Sequence, residues 1–527
     1  MYHYFGFPND DYFVLFILGM VLILFVIRLI VSLLILKFQQ TVSFDASLEF
    51  TGMMSRAFFL KNILDIKKTT IGELDKEIRF LPLQFTNFIL MPLSMIVSEI
   101  IVMSIILSGI ILFKFKLFLM LLVTIFPLVG ISYSLIRRKI QNLGIQLNNA
   151  SALSFNHSRE MIGGYADIKM QDKSSFFINR LLNAINQYNA IQIKINIYQQ
   201  IAPKLLEWSA LFSVVLIYLY ATVFNETKSE IIVVLAVYLA SAYRLLPSLN
   251  RINSSLLLIK QYEFILDIFE KSKKKLEIEK LLSDNHHNPI WLQHQITLDK
   301  IYLSYSEKSN KYVLSGISIT IKKGEVIGIV GQSGSGKTSL VYIISGLLPP
   351  TKGKILVDDV EINSSNTHKW QKNIAFVYQD IFIINGTVLD NIVFGEEEQN
   401  ININKVSECL KSVQLYDFVQ QLPQGIHTPV GENGGHLSGG QKQRLIIARA
   451  LYRDASLIIM DEATSALDEQ TQESVIQSVY QISKEKNITV ILIAHRLSSL
   501  KYCNKIIHLE NGTITKETSY KEILSKS

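Results

Sequence analysis

The stretch 331–339, GQSGSGKTS, has the residue types and spacing of a phosphate cradle. Gly331, Gln332, Ser333, Gly334, Ser335, Gly336, Lys337, Thr338 and Ser339 fit the pattern G-x-x-x-x-G-K-[ST]. In it, glycines let backbone N–H groups close around a phosphate, and the lysine ammonium meets the outer phosphates. The hydroxyl of Thr338 is then placed to hold Mg²⁺. Further on, LIIMDE (457–462) reads as a buried strand ending in two carboxylates. With a cradle in the same domain, Asp461 is placed to hold Mg²⁺ through its water shell, and Glu462 to orient or deprotonate an attacking water. Alone, the two acids would read as the polar end of a surface strand. Between these stretches LSGGQ (437–441) runs into an evident helix, so Ser438, Gly439, Gly440 and Gln441 form a second phosphate-binding surface at a helix N-terminus. One cradle with two such surfaces is most economically explained if the second completes the site of another copy.

The elements that must position these groups follow from pattern. EVIGIV before the cradle reads as a buried strand and SLVYIISGLL after it as a helix, which is the context the cradle requires. From residue 296 onward, short apolar strands alternate with helices, as in an α/β domain with a core sheet. The chain therefore divides into a membrane part (1–270), a charged linker (271–295) and a nucleotide domain (296–527). His286 and His287 in the linker have no Cys or His partner at ligand spacing and read as solvated loop residues. Cys409 and Cys503 read as reduced thiols.

With 527 residues, only 18% of them charged, and a mean hydropathy of +0.27, the chain is too apolar to be wholly soluble. Its long uncharged runs lie before residue 249. Five largely apolar stretches, 12–36 with Arg28 its only charge, 85–113, 117–136, 208–224 and 231–249, are candidate membrane spans. The net charge of +7 fits basic cytoplasmic loops against anionic lipid better than nucleic acid, since no base-reading motif accompanies it. The connections 37–84 and 137–204 are rich in Lys and Arg and are expected to be cytoplasmic, with residue 1 outside and the nucleotide domain inside. Both have helical periodicity that abuts the spans, so the membrane helices are expected to continue beyond the membrane.

The ordered set GQSGSGKTS, LSGGQ, LIIMDE, SALD (465–468) and AHR (494–496) resembles that of ATP-binding cassette proteins over the region from about 296 to the end. The resemblance implies ATP and Mg²⁺ as ligands. It implies that Tyr305 in LSYS stacks on adenine, that Gln379 in VYQD senses Mg²⁺ and the membrane domain, and that Asp468 links the two sites of a dimer. It also implies that His495 contacts the γ-phosphate and that VGENGG (430–435), with Glu432, touches membrane loops. Glu462, His495 and Gln379 form the implied catalytic set; Thr338, Gln379 and Asp461 form the implied metal set. Hydrolysis is expected at both sites of a homodimer. Spans first and cassette second is the arrangement of ABC exporter half-transporters. The implied fold is an all-α polytopic transmembrane domain followed by an α/β P-loop ATPase domain. Six spans are usual there and five are counted here; the run 12–36 corresponds to the second, and the first is expected to be missing through a misplaced start or a truncation.

The membrane part is most similar to the Pgl-type flippases that turn lipid-linked oligosaccharides across the bacterial inner membrane. The similarity rests on SEI (98–100), AYRLLPSLNRINSS (242–255) and the cassette phrase SGLLPPTKGKILVDD (345–359). Basic residues in or beside spans are costly and call for an explanation. Arg28, Lys204, Arg244 and Arg251 are candidates to receive the pyrophosphate of a polyprenyl carrier, with Glu99 a candidate partner for one of them; snorkelling to headgroups is the alternative. Export of another lipid, a drug or a peptide, and a tethered ATPase that moves nothing, remain the competing functions.

Overall fold

The computed structural model describes residues 10–113, 115–223, 228–283, 289–305, 311–462, 468–494 and 496–524. The chain forms two compact units, one of Met1–Lys61 with Asp65–Ile278 and the other of Asn62–Leu64 with Glu279–Ser527.

The first unit is helical. Asp10–Phe59 is one helix; after the short helix Ile63–Lys68, Ile71–Asp75 starts another, with Thr70 and Glu73 capping each other reciprocally. That helix continues through π-helical turns at Lys76–Phe80 and Thr86–Leu90, separated by α-helical Leu81–Phe85, into Met91–Phe113. Phe115–Gly163, Ser174–Val223, Lys228–Gln261 and Phe264–Ser283 follow, with Tyr165–Met170 a short helix between the first two. Among the described residues, Asp11–Phe59 and Ile71–Leu112 contain windows long and apolar enough to cross a membrane. The spans expected at 12–36 and 85–113 fall within these two, save for Phe113 at the end of the second helix. Those at 117–136, 208–224 and 231–249 fall within Phe115–Gly163, Ser174–Val223 and Lys228–Gln261, residue 224 lying outside the described residues. Helix continues unbroken from 117–136 into the expected loop as far as Gly163. Glycine inside a helix costs about 1 kcal/mol relative to alanine. Gly144 is explained by close approach: a Cβ there would lie 2.0 Å from the carbonyl oxygen of Gln261. Met103, Ile110, Leu206, Tyr238, Leu245 and Leu249 form one buried apolar cluster of this unit.

The expected linker is helical as far as Ser283; His286 and His287 lie outside the described residues. In the second unit β1 (Gln295–Leu303), β2 (Leu314–Lys322), β4 (Lys352–Val357) and β5 (Val360–Glu361) form an antiparallel sheet in the order β2-β1-β4-β5. β3 (Val326–Val330), β6 (Ile374–Val377), β7 (Leu457–Asp461), β8 (Thr489–Ile493), β9 (Lys505–Glu510) and β10 (Thr513–Thr518) form a second sheet, β10-β9-β3-β8-β7-β6. Pairing from β9 to β6 is parallel. Strands β7 and β8 are buried at every residue because both faces are covered. Ile327, Ile329, Ile459 and Ile491 face a core shared with the helix Lys337–Ile344. The alternate residues Val326, Ile458, Met460 and Val490 face a core shared with the helix Gly439–Tyr452. Free Cys409 and Cys503 are buried, both in the latter core.

Candidate functional site

Register brings the chemistry-bearing residues to one edge of the parallel sheet. Ile329 of β3 and Asp461 of β7 both pair with Ile493 of the intervening β8, so the cradle after β3 and the carboxylates at the end of β7 emerge together. Val377 of β6 pairs with Met460, which sets Gln379, two residues on, level with Glu462. The contact follows: Gln379 Nε2 donates to Glu462 Oε2 at 2.8 Å. Glu462 has φ +50°, a left-handed conformation that costs an ordinary residue about 1–2 kcal/mol. Its N–H donates to the carbonyl of Ile493 at 3.3 Å. Asp461, the residue before it at the end of β7, is buried.

The cradle is shaped by glycines with backbone work to do. Gly334 (φ +80°) and Gly336 (φ +102°) occupy the left-handed region, and Gly336 opens the helix Lys337–Ile344. Gly331 answers to space instead: a Cβ would stand 2.2 Å from the Leu509 carbonyl oxygen. Lys337 is 7% exposed and folds onto its own loop, its Nζ donating to the carbonyls of Gly331 at 2.9 Å and Gln332 at 3.0 Å. The same ammonium donors could be offered to phosphate oxygens instead. Ser335 Oγ is buried with no hydrogen-bond partner among the described residues. A closed loop holding an ammonium and an unsatisfied hydroxyl fits a phosphate chain, and the buried Asp461 at the same edge fits its Mg²⁺. Tyr305 Oη and Ser339 Oγ share a hydrogen bond of 2.5 Å, tying the half-exposed tyrosine to the first turn of the helix after the cradle.

In LSGGQ, Ser438 caps the helix Gly439–Tyr452. Its Oγ accepts from Gln441 N–H at 3.3 Å, while Gln441 Oε1 accepts from Ser438 N–H at 2.8 Å. Ser438 and Gly439 are exposed, and Gly440 and Gln441 half-buried. Just before it, Glu432 starts a turn in which Asn433 has φ +50° and Gly434 φ +70°. Asp468 caps the helix Glu469–Lys486, accepting from Thr471 N–H at 3.0 Å, and that backbone donor first of all holds its carboxyl below the usual range. His495 and residues 463–467 lie outside the described residues.

The four cations singled out in the membrane part lie on three helices. Arg28 is exposed on Asp10–Phe59, with its guanidinium 6.0 Å from the Phe25 ring centre. Lys204 is exposed and pairs with Glu207 at 3.0 Å. Arg244 is exposed on Lys228–Gln261. Arg251, on the same helix, forms an ion pair with Glu99 of Met91–Phe113 at 2.5 Å, so its charge is already answered within the chain. Sequence reasoning did not single out Arg449 and Asn391, which join the segment after Gln379 to the LSGGQ helix. The signal was available: Leu445, Ala448, Arg449 and Tyr452 share one helix face, and the other three are apolar or aromatic and buried.

Both parts of the chain are similar to known proteins. A family model described as "ABC transporter" matches residues 314–465, and one described as "ABC transporter transmembrane region" matches residues 78–244. An "ATP-dependent lipid A-core flippase" of Francisella novicida is 30% identical over 422 residues, covering 77% of this chain and 68% of that protein. A protein of the same description from Paraburkholderia xenovorans is 29% identical over 379 residues, and there the chain spans only 60% of its relative. A solved structure titled "Structure of a bacterial Atm1-family ABC exporter with ATP bound" superposes with a TM-score of 0.79 over 93% of this chain and 85% of that one, at 21% identity.

Proposed function

We propose, from the premise that this chain belongs to the ABC transporter family as an exporter half-transporter, that it is a multi-pass membrane ATPase that uses ATP to move a lipid-type substrate to the outer side of the membrane. The observation that carries the hydrolytic part is the common edge of the sheet: the cradle, Asp461, and Glu462 held by Gln379. Lys337 exchanges two loop carbonyls for phosphate oxygens, and Glu462 takes the proton of the attacking water. Mg²⁺ held by Thr338 and Asp461, with Gln379 in reach, would neutralise charge on the β- and γ-phosphates. The exposed Ser438 turn makes the other wall of the nucleotide site in a second copy, so two chains clamp two ATP molecules. Closure around ATP opens the substrate path outward and hydrolysis resets it. The bacterial inner membrane, with the nucleotide domain on the cytoplasmic side, is the location consistent with the named relatives.

For the cargo, relatives named lipid A-core flippase support a lipid, and the likeness around 242–255 supports a lipid-linked oligosaccharide. Arg28 and Arg244 are the cations favoured to receive its phosphate groups, because Arg251 is paired with Glu99 and Lys204 with Glu207.

Glu462→Gln keeps the size of the side chain and an oxygen for the Gln379 amide. It is expected to keep ATP binding while turnover falls about 10²–10⁴-fold; wild-type turnover would remove Glu462 from the base role. Liposomes with polyprenyl-pyrophosphate oligosaccharide, lipid A-type glycolipid, peptide or plain phospholipid then separate the cargoes. Hydrolysis without translocation of any of them would leave a regulatory ATPase.

A further inference from the structure

The helix that begins at LSGGQ carries a half-buried arginine whose hydrogen-bond partners among the described residues are all backbone or amide oxygens. Arg449 Nε donates to the Asn391 carbonyl at 2.6 Å, Nη2 to Asn391 Oδ1 at 2.8 Å and Nη1 to the Phe382 carbonyl at 3.0 Å. The guanidinium lies 4.1 Å from the centre of the Phe394 ring. Burial lowers its pKa to about 10, so it stays cationic at neutral pH. Asn391 is fully buried, and its own amide is used up: Nδ2 donates to the carbonyls of Ile384 at 3.1 Å and Thr387 at 3.0 Å, and Oδ1 also accepts from Ile384 N–H at 3.0 Å.

One pair of side chains thus fixes the segment 382–387 at three points and joins it to the helix Gly439–Tyr452. That segment starts three residues after Gln379, and three residues span at most about 11 Å of chain. The place of the LSGGQ helix therefore restricts where the Gln379 amide can be, and that amide holds Glu462. Arginine suits the task because its planar fork reaches two chain segments at once, whereas lysine offers one point charge.

We propose that Arg449 is a positioning residue for ATP hydrolysis: it carries the position of the LSGGQ helix to Gln379 and so sets the orientation of Glu462. When the LSGGQ turn meets the nucleotide of a second copy, the segment after Gln379 moves with it, and Glu462 is released or aligned only in that arrangement. The idea rests on Glu462 being the base.

The test is a double-mutant cycle on the full-length protein, with kcat, KM for ATP and melting temperature measured for Arg449→Lys, Gln379→Ala and the pair. Arg449→Lys is expected to lower kcat about tenfold with KM within twofold. In the Gln379→Ala background it is expected to lower kcat no further, while its loss of melting temperature is the same in both backgrounds. Independent losses that multiply in the double variant, or a rise in KM with kcat intact, overturn the proposal. If Arg449→Lys does not accumulate, Phe394→Leu loosens the same guanidinium more gently. A kcat fall with the same dependence on Gln379 is expected there, and an unchanged kcat overturns the proposal. Failure of the base role reads out separately, as turnover surviving in Glu462→Gln.

Discussion

Gly331→Ala tests the cradle by adding a single methyl group. The backbone at Gly331 is not left-handed, so the effect is one of space alone. The new Cβ would meet the Leu509 carbonyl oxygen at 2.2 Å and Ser335 Oγ at 2.7 Å. An ordinary contact needs about 3.4 Å, so the loop must withdraw from the end of β9 by about 1 Å. Gly331 and Gln332 carry the two carbonyls that hold Lys337, and Ser335 N–H bonds Gln332, so the withdrawal moves the whole cage. Overpacking of this size typically costs about 1–3 kcal/mol. Where that cost is paid on closing around phosphate, it amounts to a loss in ATP affinity of about 5- to 150-fold. Titration with a fluorescent ATP analogue, with a thermal melt of the same sample, measures both parts. Affinity within twofold of wild type together with an unchanged melt would refute the claim that Gly331 is required by close approach.

Two further perturbations probe the units separately. Glu99→Ala leaves Arg251 without its ion-pair partner. Since that arginine side chain is 39% exposed, the loss is expected between that of an exposed pair and that of a fully buried one, about 1–3 kcal/mol, and Glu99→Gln should lose less; equal melting temperatures in detergent for all three proteins would contradict this. In the nucleotide unit, burial pushes the Cys503 thiol up to about 12 and Cys409 up to about 11, against about 8.5 in an unfolded chain. A raised pKa contributes stability that is full below about pH 8.5 and is lost as pH climbs toward 11 to 12, at up to about 1.4 kcal/mol per pH unit for each thiol. Cys503→Ala should flatten the fall in stability between about pH 8.5 and 10.5, and an unchanged slope would refute it.

The parts of the fold legible in the sequence are those that local chemistry dictates. A left-handed turn that only glycine adopts cheaply marks Gly334 and Gly336, and long, largely apolar runs mark the helices at 12–36 and 85–113. The strand ending in Asp461 was legible because a parallel strand buried on both faces has no polar residue until its end. What escaped depends on residues far apart in the chain. Nothing near Tyr305 points to Ser339, and nothing near Arg449 points to Phe382; the fold alone brings each pair together. Glu99 read as a candidate partner for one of four basic residues, and that it is Arg251 could not be read because the two lie on different helices. The left-handed Glu462 was also invisible, since its strain is sustained by the register of β7 against β8.

The two π-helical turns at Lys76–Phe80 and Thr86–Leu90 act as phase shifts in an otherwise regular screw. Each accommodates one residue more than an α-helix would, and one residue corresponds to a rotation of about 100° about the axis. Everything after them in Met91–Phe113, Glu99 included, faces where it does because of residues 9 to 23 positions earlier. Deleting one residue from either turn would leave composition and hydropathy almost untouched. It would also swing Glu99 off the side facing Arg251, so the length of this stretch, counted in single residues, carries information that its apolar character does not.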